Sequence, residues 1–234
     1  MIRYLVRLLM RLEELSLLLL CLLMLLGGGY GLYDSYLVYR QANDDSILKL
    51  RPDRQQELPE KELQGRVTGW LTLEGTGIDY PVMQGKDNFE YLNKNPYGEY
   101  ALSGSVFLDA GNSPDYADEY SLLYGHHMEQ GLMFGDLDRY REEEFFRQHH
   151  TGTLLVEGEE RNITLMAVLD VLATEERIFS PASTTKEAVC EIIQENAIHC
   201  LTEEWDVEGK QLIAFSTCRK TDSIERTVVI GLFD

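Results

Sequence analysis

The longest apolar stretch of the chain lies near its amino terminus. Residues 15–33 carry no charge, and as a helix they would be about 28 Å long, close to the hydrocarbon thickness of a bilayer. Arg3, Arg7 and Arg11 precede the stretch. The positive-inside bias therefore predicts a cytoplasmic segment (1–14), a transmembrane signal anchor (15–33) and an extracellular remainder. A cleaved signal peptide is the alternative, because three glycines offer a cut site, but the spanning length favours an uncleaved anchor.

Beyond the anchor, the pattern changes from helical to extended. Residues 34–64 are polar with apolar residues at helical spacing, which predicts a helical juxtamembrane segment broken by Pro52 and Pro59. From residue 65 onward, short β-rich runs are divided by Gly, Pro and Asn. They predict eight strands, at 67–73, 78–83, 105–108, 121–124, 153–156, 162–171, 211–216 and 227–232. Eight short strands at this spacing indicate a barrel or a sandwich.

Two helical inserts interrupt the predicted strands. The first spans 135–149, and the second spans 184–200 with apolar residues at helical intervals. The fold class is therefore mainly β with added helices (α+β), and residues 65–234 form one catalytic-sized domain.

Composition narrows the function. The formal net charge is −19, so a surface that follows a nucleic-acid backbone is excluded. Cys190 and Cys200 would lie about 15 Å apart on one helix, too far for a disulfide. The five histidines include the pair His126 and His127, but adjacent side chains on a strand diverge and no HExxH pattern occurs, so we expect neither a metal nor another cofactor.

Three residues could together perform acyl transfer. Cys218 ends one predicted strand and Arg226 begins the next, so a hairpin would bring both to one rim of the sheet. His126 follows a third strand and could reach the same rim. A thiol, an imidazole and a fixed cation supply a nucleophile, a proton shuttle and an oxyanion donor. Each residue alone could equally be structural, and Arg219 is a rival for Arg226.

Five sequence blocks resemble those of sortases, especially class B. They are Tyr124-Gly-His-His-Met128 with Met133-Phe-Gly-Asp-Leu137, Ser216-Thr-Cys218, Arg226-Thr-Val-Val-Ile230, Gly77-Ile-Asp-Tyr-Pro-Val-Met-Gln-Gly-Lys-Asp-Asn88, and Ser103-Gly-Ser-Val-Phe-Leu-Asp109. The resemblance covers nearly everything after Gly65, and the order His, Cys, Arg agrees with the family.

The resemblance implies a fold and a reaction. The fold would be a closed eight-stranded β-barrel with amino-terminal helices and a helix in the connection before the cysteine strand. Cys218 would be the nucleophile, His126 the general acid and base, and Arg226 the oxyanion-stabilising residue, with Ser216 and Thr217 contacting substrate. The enzyme would cleave an Asn-Pro-x-Thr-type sorting signal of secreted proteins and pass the Thr acyl group to a peptidoglycan amine. A pilin-polymerising sortase with a Lys acceptor and a catalytically idle extracellular binding module are the alternatives.

Overall fold

The computed structural model describes residues 1–42, 47–52, 63, 65–201, 207, 209–218 and 224–233, and of Cys218 it describes the backbone. The chain divides into two compact units, residues 1–41 and residues 42–234. Four α-helices are present in the described chain: α1 (Ile2–Ala42), α2 (Glu143–Gln148), α3 (Glu176–Phe179) and α4 (Lys186–Asn196). Short 3-10 helices span Ile47–Leu50, Glu90–Leu92, Glu129–Gly131 and Gly135–Arg141.

Helix α1 makes up the first unit almost by itself. Its apolar side chains are exposed in this structure, and by length and composition it could cross a membrane. A signal sequence near an amino terminus has the same properties. The helix is longer than the predicted anchor at both ends, because the arginine-containing turns before it and the polar turns after it continue the same helical pattern.

The second unit is a closed β-barrel. Its strands are β1 (Arg66–Leu73), β2 (Asp79–Gln84), β3 (Val106–Leu108), β4 (Tyr120–Tyr124), β5 (Thr151–Val156), β6 (Glu159–Leu172), β7 (Ala197–Cys200), β8 (Gln211–Cys218) and β9 (Glu225–Phe233). Eight of them pair in the order β5-β1-β2-β3-β4-β8-β9-β6, and a β5–β6 pairing closes the ring. The short β7 pairs with Ala167–Leu169 of β6 and is not one of the eight strands that form the ring. The predicted eight-stranded barrel is therefore confirmed.

Both faces of the barrel sheet are buried at β8, the strand that ends at Cys218. On β8, Ile213 and Phe215 belong to a core cluster to which all eight barrel strands contribute, so this cluster fills the barrel interior. Leu212 and Ala214 point the other way, into a second cluster that includes Ile192 of α4. This double burial explains why the strand is a continuous apolar run rather than an alternating one.

Two helix predictions were wrong in their limits. The predicted helix 135–149 is a 3-10 helix followed by α2, because the backbone leaves helical geometry at Glu142. The predicted helix 184–200 ends at Asn196, and Ala197–Cys200 forms β7 instead. There, pairing with β6 overrides the helical spacing of the apolar residues. Part of the predicted juxtamembrane segment lies outside the described residues.

Candidate active site

The predicted hairpin of the cysteine and arginine strands is present. Strands β8 and β9 pair antiparallel without a bulge, and the register places Cys218 opposite Arg226 and Thr217 opposite Thr227. Paired Cα atoms in an antiparallel ladder lie about 4.5–5.5 Å apart. The backbone alone therefore brings positions 218 and 226 to the same rim of the barrel. Arg219, the rival arginine, lies outside the described residues.

The strand that leads to His126 lies on the other side of β8. Strand β4 runs parallel to β8, with Tyr124 paired to Ser216. The ladder continues one step further, because the Gly125 backbone N–H donates to the Ser216 carbonyl at 3.2 Å. His126 follows immediately. Cys218 therefore lies on a strand whose two neighbours lead to the predicted histidine and arginine.

The His126 ring is held by a backbone carbonyl. Its Nε2 lies 2.7 Å from the carbonyl oxygen of Leu92. Since a carbonyl oxygen only accepts, Nε2 carries a proton in this hydrogen bond, which leaves Nδ1 as the nitrogen for proton exchange. Gly104 packs against this pair at a positive φ of 61°, and a Cβ there would come within 2.6 Å of the Leu92 oxygen and 3.0 Å of the His126 ring.

The two adjacent histidines diverge. While the His126 ring contacts Leu92, the His127 ring turns to the 3-10 helix Gly135–Arg141, where its Nε2 lies 2.9 Å from Asp138 Oδ2. Adjacent side chains on an extended segment face opposite ways, so only one of the two histidines can point at the site. It is His126 that lines the cavity described below.

The loop after His126 folds back on itself through close backbone contacts. The Phe134 N–H donates to the His126 carbonyl at 3.0 Å, and His127 forms a single antiparallel bridge with Met133. Gly135 makes the return possible, because a Cβ at this position would lie 1.9 Å from the Met128 carbonyl oxygen. The backbone at His126 is thus fixed by a turn that requires glycine.

The candidate residues open onto one cavity of about 270 Å³. Its walls combine apolar and aromatic side chains with a few polar groups, which is typical of a ligand site. The lining residues are Asn88, Leu92, Phe107, Tyr124, Gly125, His126, Ala173, Phe179, Ser216, Thr217 and Arg226. Four of the five predicted site residues therefore meet here, and the backbone of the fifth, Cys218, continues the strand that carries Ser216 and Thr217.

Two hydroxyl groups at this cavity are buried without a partner. Ser216 and Thr217 are each 2% exposed, and within the described part of the chain neither Oγ of Ser216 nor Oγ1 of Thr217 has a hydrogen-bond partner. A buried polar group left unsatisfied costs about 1–3 kcal/mol. Both hydroxyls therefore have unused hydrogen-bonding capacity at residues that line the cavity.

The sequence analysis missed a polar network behind the cavity. The buried Asp109 carboxylate accepts hydrogen bonds from Asn88 Nδ2 at 2.7 Å, Tyr124 OH at 2.9 Å and the Gly111 N–H at 2.8 Å. Burial raises the pKa of Tyr124, so its hydroxyl remains a donor to Asp109. Asp109 and the nearby Asn112 are both buried, which their polar side chains alone did not indicate.

Comparison with known proteins places the chain in a family. Sortase B of Listeria monocytogenes is 31% identical over 169 residues, which make up 71% of this chain and 68% of that protein. This chain belongs to the class B sortases. Sortases of this class are cysteine transpeptidases, and this sortase shares that enzymatic function. A scan against family models gave no match.

Solved sortase structures share the barrel. A Streptococcus pyogenes class B sortase involved in pilus biogenesis superposes on this sortase with a TM-score of 0.66 at 31% identity, covering 83% of this chain and all of that one. The sortase B–substrate complex of Staphylococcus aureus gives a TM-score of 0.65 over 81% of this chain and 83% of that one. At 22% identity the second comparison supports the fold alone.

Proposed function

We propose that this sortase uses Cys218, His126 and Arg226 to cut an Asn-Pro-x-Thr-type sorting signal and to transfer the Thr acyl group to a peptidoglycan amine. One observation carries the proposal. His126 and Arg226 line the same cavity, and the strand between their two strands ends at Cys218. Proteins that carry the signal would thereby become anchored to the cell wall.

The chemistry follows from the three groups. The Cys218 thiolate attacks the Thr carbonyl carbon, and the new S–C bond leaves an oxyanion that Arg226 stabilises. Protonated His126 donates its Nδ1 proton to the leaving amine as the C–N bond breaks, which gives a thioester. An incoming amine then attacks the thioester, His126 accepts the amine's proton, and Cys218 leaves as the thiolate. A neighbouring cation favours the thiolate form at both stages.

Ser216 and Thr217 are proposed to bind the signal peptide. Both residues line the cavity, and within the described part of the chain their hydroxyls have no partner. A polar side chain of the signal would satisfy these groups, and Phe107, Tyr124 and Phe179 would pack against its apolar residue. Polar groups left unpaired by a wrong peptide would give the site its selectivity.

A second function deserves a test because of one comparison. The S. pyogenes class B sortase at 31% identity is involved in pilus biogenesis. A pilin-polymerising sortase would use the same residues with a Lys side chain as the acceptor. A catalytically idle binding module, the remaining alternative, would bind the peptide without cleaving it.

A quenched peptide with an Asn-Pro-x-Thr core tests the proposal. The full chain in detergent is incubated with this peptide and either a triglycine amine or an amino-acetylated peptide whose only amine is Lys Nζ. We expect Cys218-dependent cleavage and an amide product with triglycine. Ligation to Lys alone would favour pilus assembly, whereas binding without cleavage would favour the idle module. Cleavage that persists in Cys218→Ala would refute the proposed nucleophile.

Helix α1 is proposed to anchor the enzyme in the membrane as a single span, with the barrel outside. Its apolar length and the three arginines before the apolar run support this orientation. Protease added to intact protoplasts should digest residues beyond 42 and spare the amino-terminal helix. Protection of the barrel until the protoplasts are lysed would reverse the orientation.

A further inference from the structure

Asp138 contacts the chain neighbours of two of the three proposed catalytic residues, His126 and Arg226. Its Oδ2 lies 2.9 Å from His127 Nε2, and its Oδ1 accepts a hydrogen bond from Thr227 Oγ1 at 3.1 Å. His127 follows His126, and Thr227 follows Arg226. A single carboxylate therefore joins the two segments that hold the imidazole and the guanidinium, and each of its oxygens serves one of them.

The surroundings make this contact a rigid one. Thr227 is fully buried and is fixed by its strand pairing with Thr217 on one side and Asp170 on the other. Its hydroxyl has a second, longer contact with Asp170 Oδ1 at 3.4 Å, so Asp138 is the nearer of two acceptors. The helix that carries Asp138 is attached to the same wall a second time, because Arg141 forms an ion pair with Asp170. The 3-10 helix is thus attached to β6 and β9. Through its contact with His127, Asp138 links the loop that carries His126 to these strands.

We propose that Asp138 is a positioning residue, which sets the distance between the His126 imidazole and the Arg226 guanidinium by bridging His127 and Thr227. This inference rests on the proposed roles of His126 and Arg226. We attribute its effect to these two hydrogen bonds, with His127 Nε2 and with Thr227 Oγ1, rather than to its charge.

The test compares Asp138→Ala with Asp138→Asn. An Asn amide can replace both contacts, with its oxygen accepting from His127 and its N–H donating to Thr227, whereas Ala removes both. We expect Asp138→Ala to lower kcat for peptide cleavage by about 10- to 100-fold at unchanged KM, because displacements of about 1 Å cost this much. Asp138→Asn should retain kcat within about threefold. Equal losses in both variants would indicate a role for the charge and would overturn the proposal.

Asp136 supplies the matched control. It lies on the same 3-10 helix, and among the described residues its carboxylate accepts a hydrogen bond from the Gly77 N–H at 2.8 Å rather than one from His127 or Thr227. Asp136→Ala should lower the Tm and leave kcat of the folded enzyme unchanged. If it lowers kcat as much as Asp138→Ala does, the effect is general loosening of the helix and the positioning role is refuted.

Two further measurements separate this inference from the proposed function. Adding Asp138→Ala to Thr227→Val should lower kcat by less than the product of the two single losses, because both changes break the same bridge.

Long-range ¹H–¹⁵N spectra of histidine-labelled protein need no substrate. The His126 signals should show the Nε2–H form in the wild type and in Asp136→Ala, and should change in Asp138→Ala. An inactive wild type would refute the proposed function, while unchanged His126 signals in Asp138→Ala would refute the bridge.

Discussion

Two regions of the barrel rim hold the proposed catalytic residues in different ways. Strands β8 and β9 place positions 218 and 226 by eight consecutive backbone pairs between two buried faces. Residues 125–135 place His126 by single contacts: one carbonyl for the ring, one N–H for the backbone and one glycine at the turn. Redundant pairing tolerates the loss of one contact, whereas the loop depends on a few contacts that differ in kind and cannot replace one another. Mutations should therefore separate stability, which the strands dominate, from activity, which the loop controls.

The largest effect is expected from Gly135→Ala. A Cβ at 1.9 Å from the Met128 carbonyl oxygen cannot be accommodated without moving the backbone, and the turn that fixes His126 would shift with it. We expect kcat/KM to fall by about 100-fold, measured with the quenched peptide.

Gly158→Ala is the control for that substitution. Gly158 has a positive φ of 84°, but a Cβ added there would meet no atom within 4 Å, so Ala costs about 1–2 kcal/mol of stability without touching the site. Both variants should have a lower Tm, and only Gly135→Ala should lose activity. Similar activity in the two variants would contradict the idea that the loop is the sensitive region.

A smaller loss is expected from Tyr124→Phe, at the junction of the two regions. The change removes one of three donors to the buried Asp109 carboxylate, and hydrogen bonds to charged groups contribute about 1.5–3 kcal/mol. Because Asp109 also orients Asn88, KM should rise by about three- to tenfold. Tyr100→Phe, at a tyrosine that is 71% exposed, is the control and should change neither quantity. An unchanged KM in Tyr124→Phe would show that the hydrogen bonds around Asp109 do not affect peptide binding.

The barrel strands themselves should tolerate the loss of a buried methyl group. Ile230 is fully buried in the second core cluster, four residues beyond Arg226. Ile230→Val should lower the free energy of unfolding by about 0.5–1.5 kcal/mol, measured by urea denaturation, and leave kcat within about twofold. A large fall in kcat at full folding would show that the strands transmit small packing changes to the site as readily as the loop does.

The smallest effect concerns the 3-10 helix Glu90–Leu92, which supplies the carbonyl to His126. A hydrogen bond from Lys94 at 2.8 Å, together with the Lys86 N–H, lowers the pKa of Glu90. Since the folded pKa lies below the unfolded one, this contribution is present above the unfolded pKa and is lost as pH falls through the folded pKa. Glu90→Gln should cost about 0.3–0.5 kcal/mol at pH 7. The difference from wild type should shrink as pH falls below about 4, and a difference that does not shrink there would point to packing.

The two regions also differ in how well the sequence predicts them. The eight barrel strands and the cysteine–arginine hairpin follow from apolar runs separated by turn residues, and the structure confirms them within a few residues. The helix limits at 142 and 197 do not follow, because the spacing of apolar residues is the same on both sides of each break. There, contacts with β6 and the turn at Glu142 decide the structure.

Within the site, the sequence indicated which residues meet but not what holds them. His126, Arg226, Ser216 and Thr217 were predicted and line one cavity. The contacts of His126 with Leu92 and of Asp109 with Asn88 join residues more than twenty positions apart, and no local pattern predicts such pairs. Asn88 and Asp109 each lie in a sequence block that resembles sortases, and this likeness could have pointed to their shared network.

The parallel pairing of β4 with β8 also determines when the enzyme becomes reactive. Residues 125–210 must be synthesised before the cysteine strand can pair with the histidine strand. A partly made chain therefore exposes its imidazole long before the proposed thiol and guanidinium emerge. Since Cys218 and Arg226 lie on paired strands of one hairpin, the two proposed catalytic groups become available together, after the histidine strand.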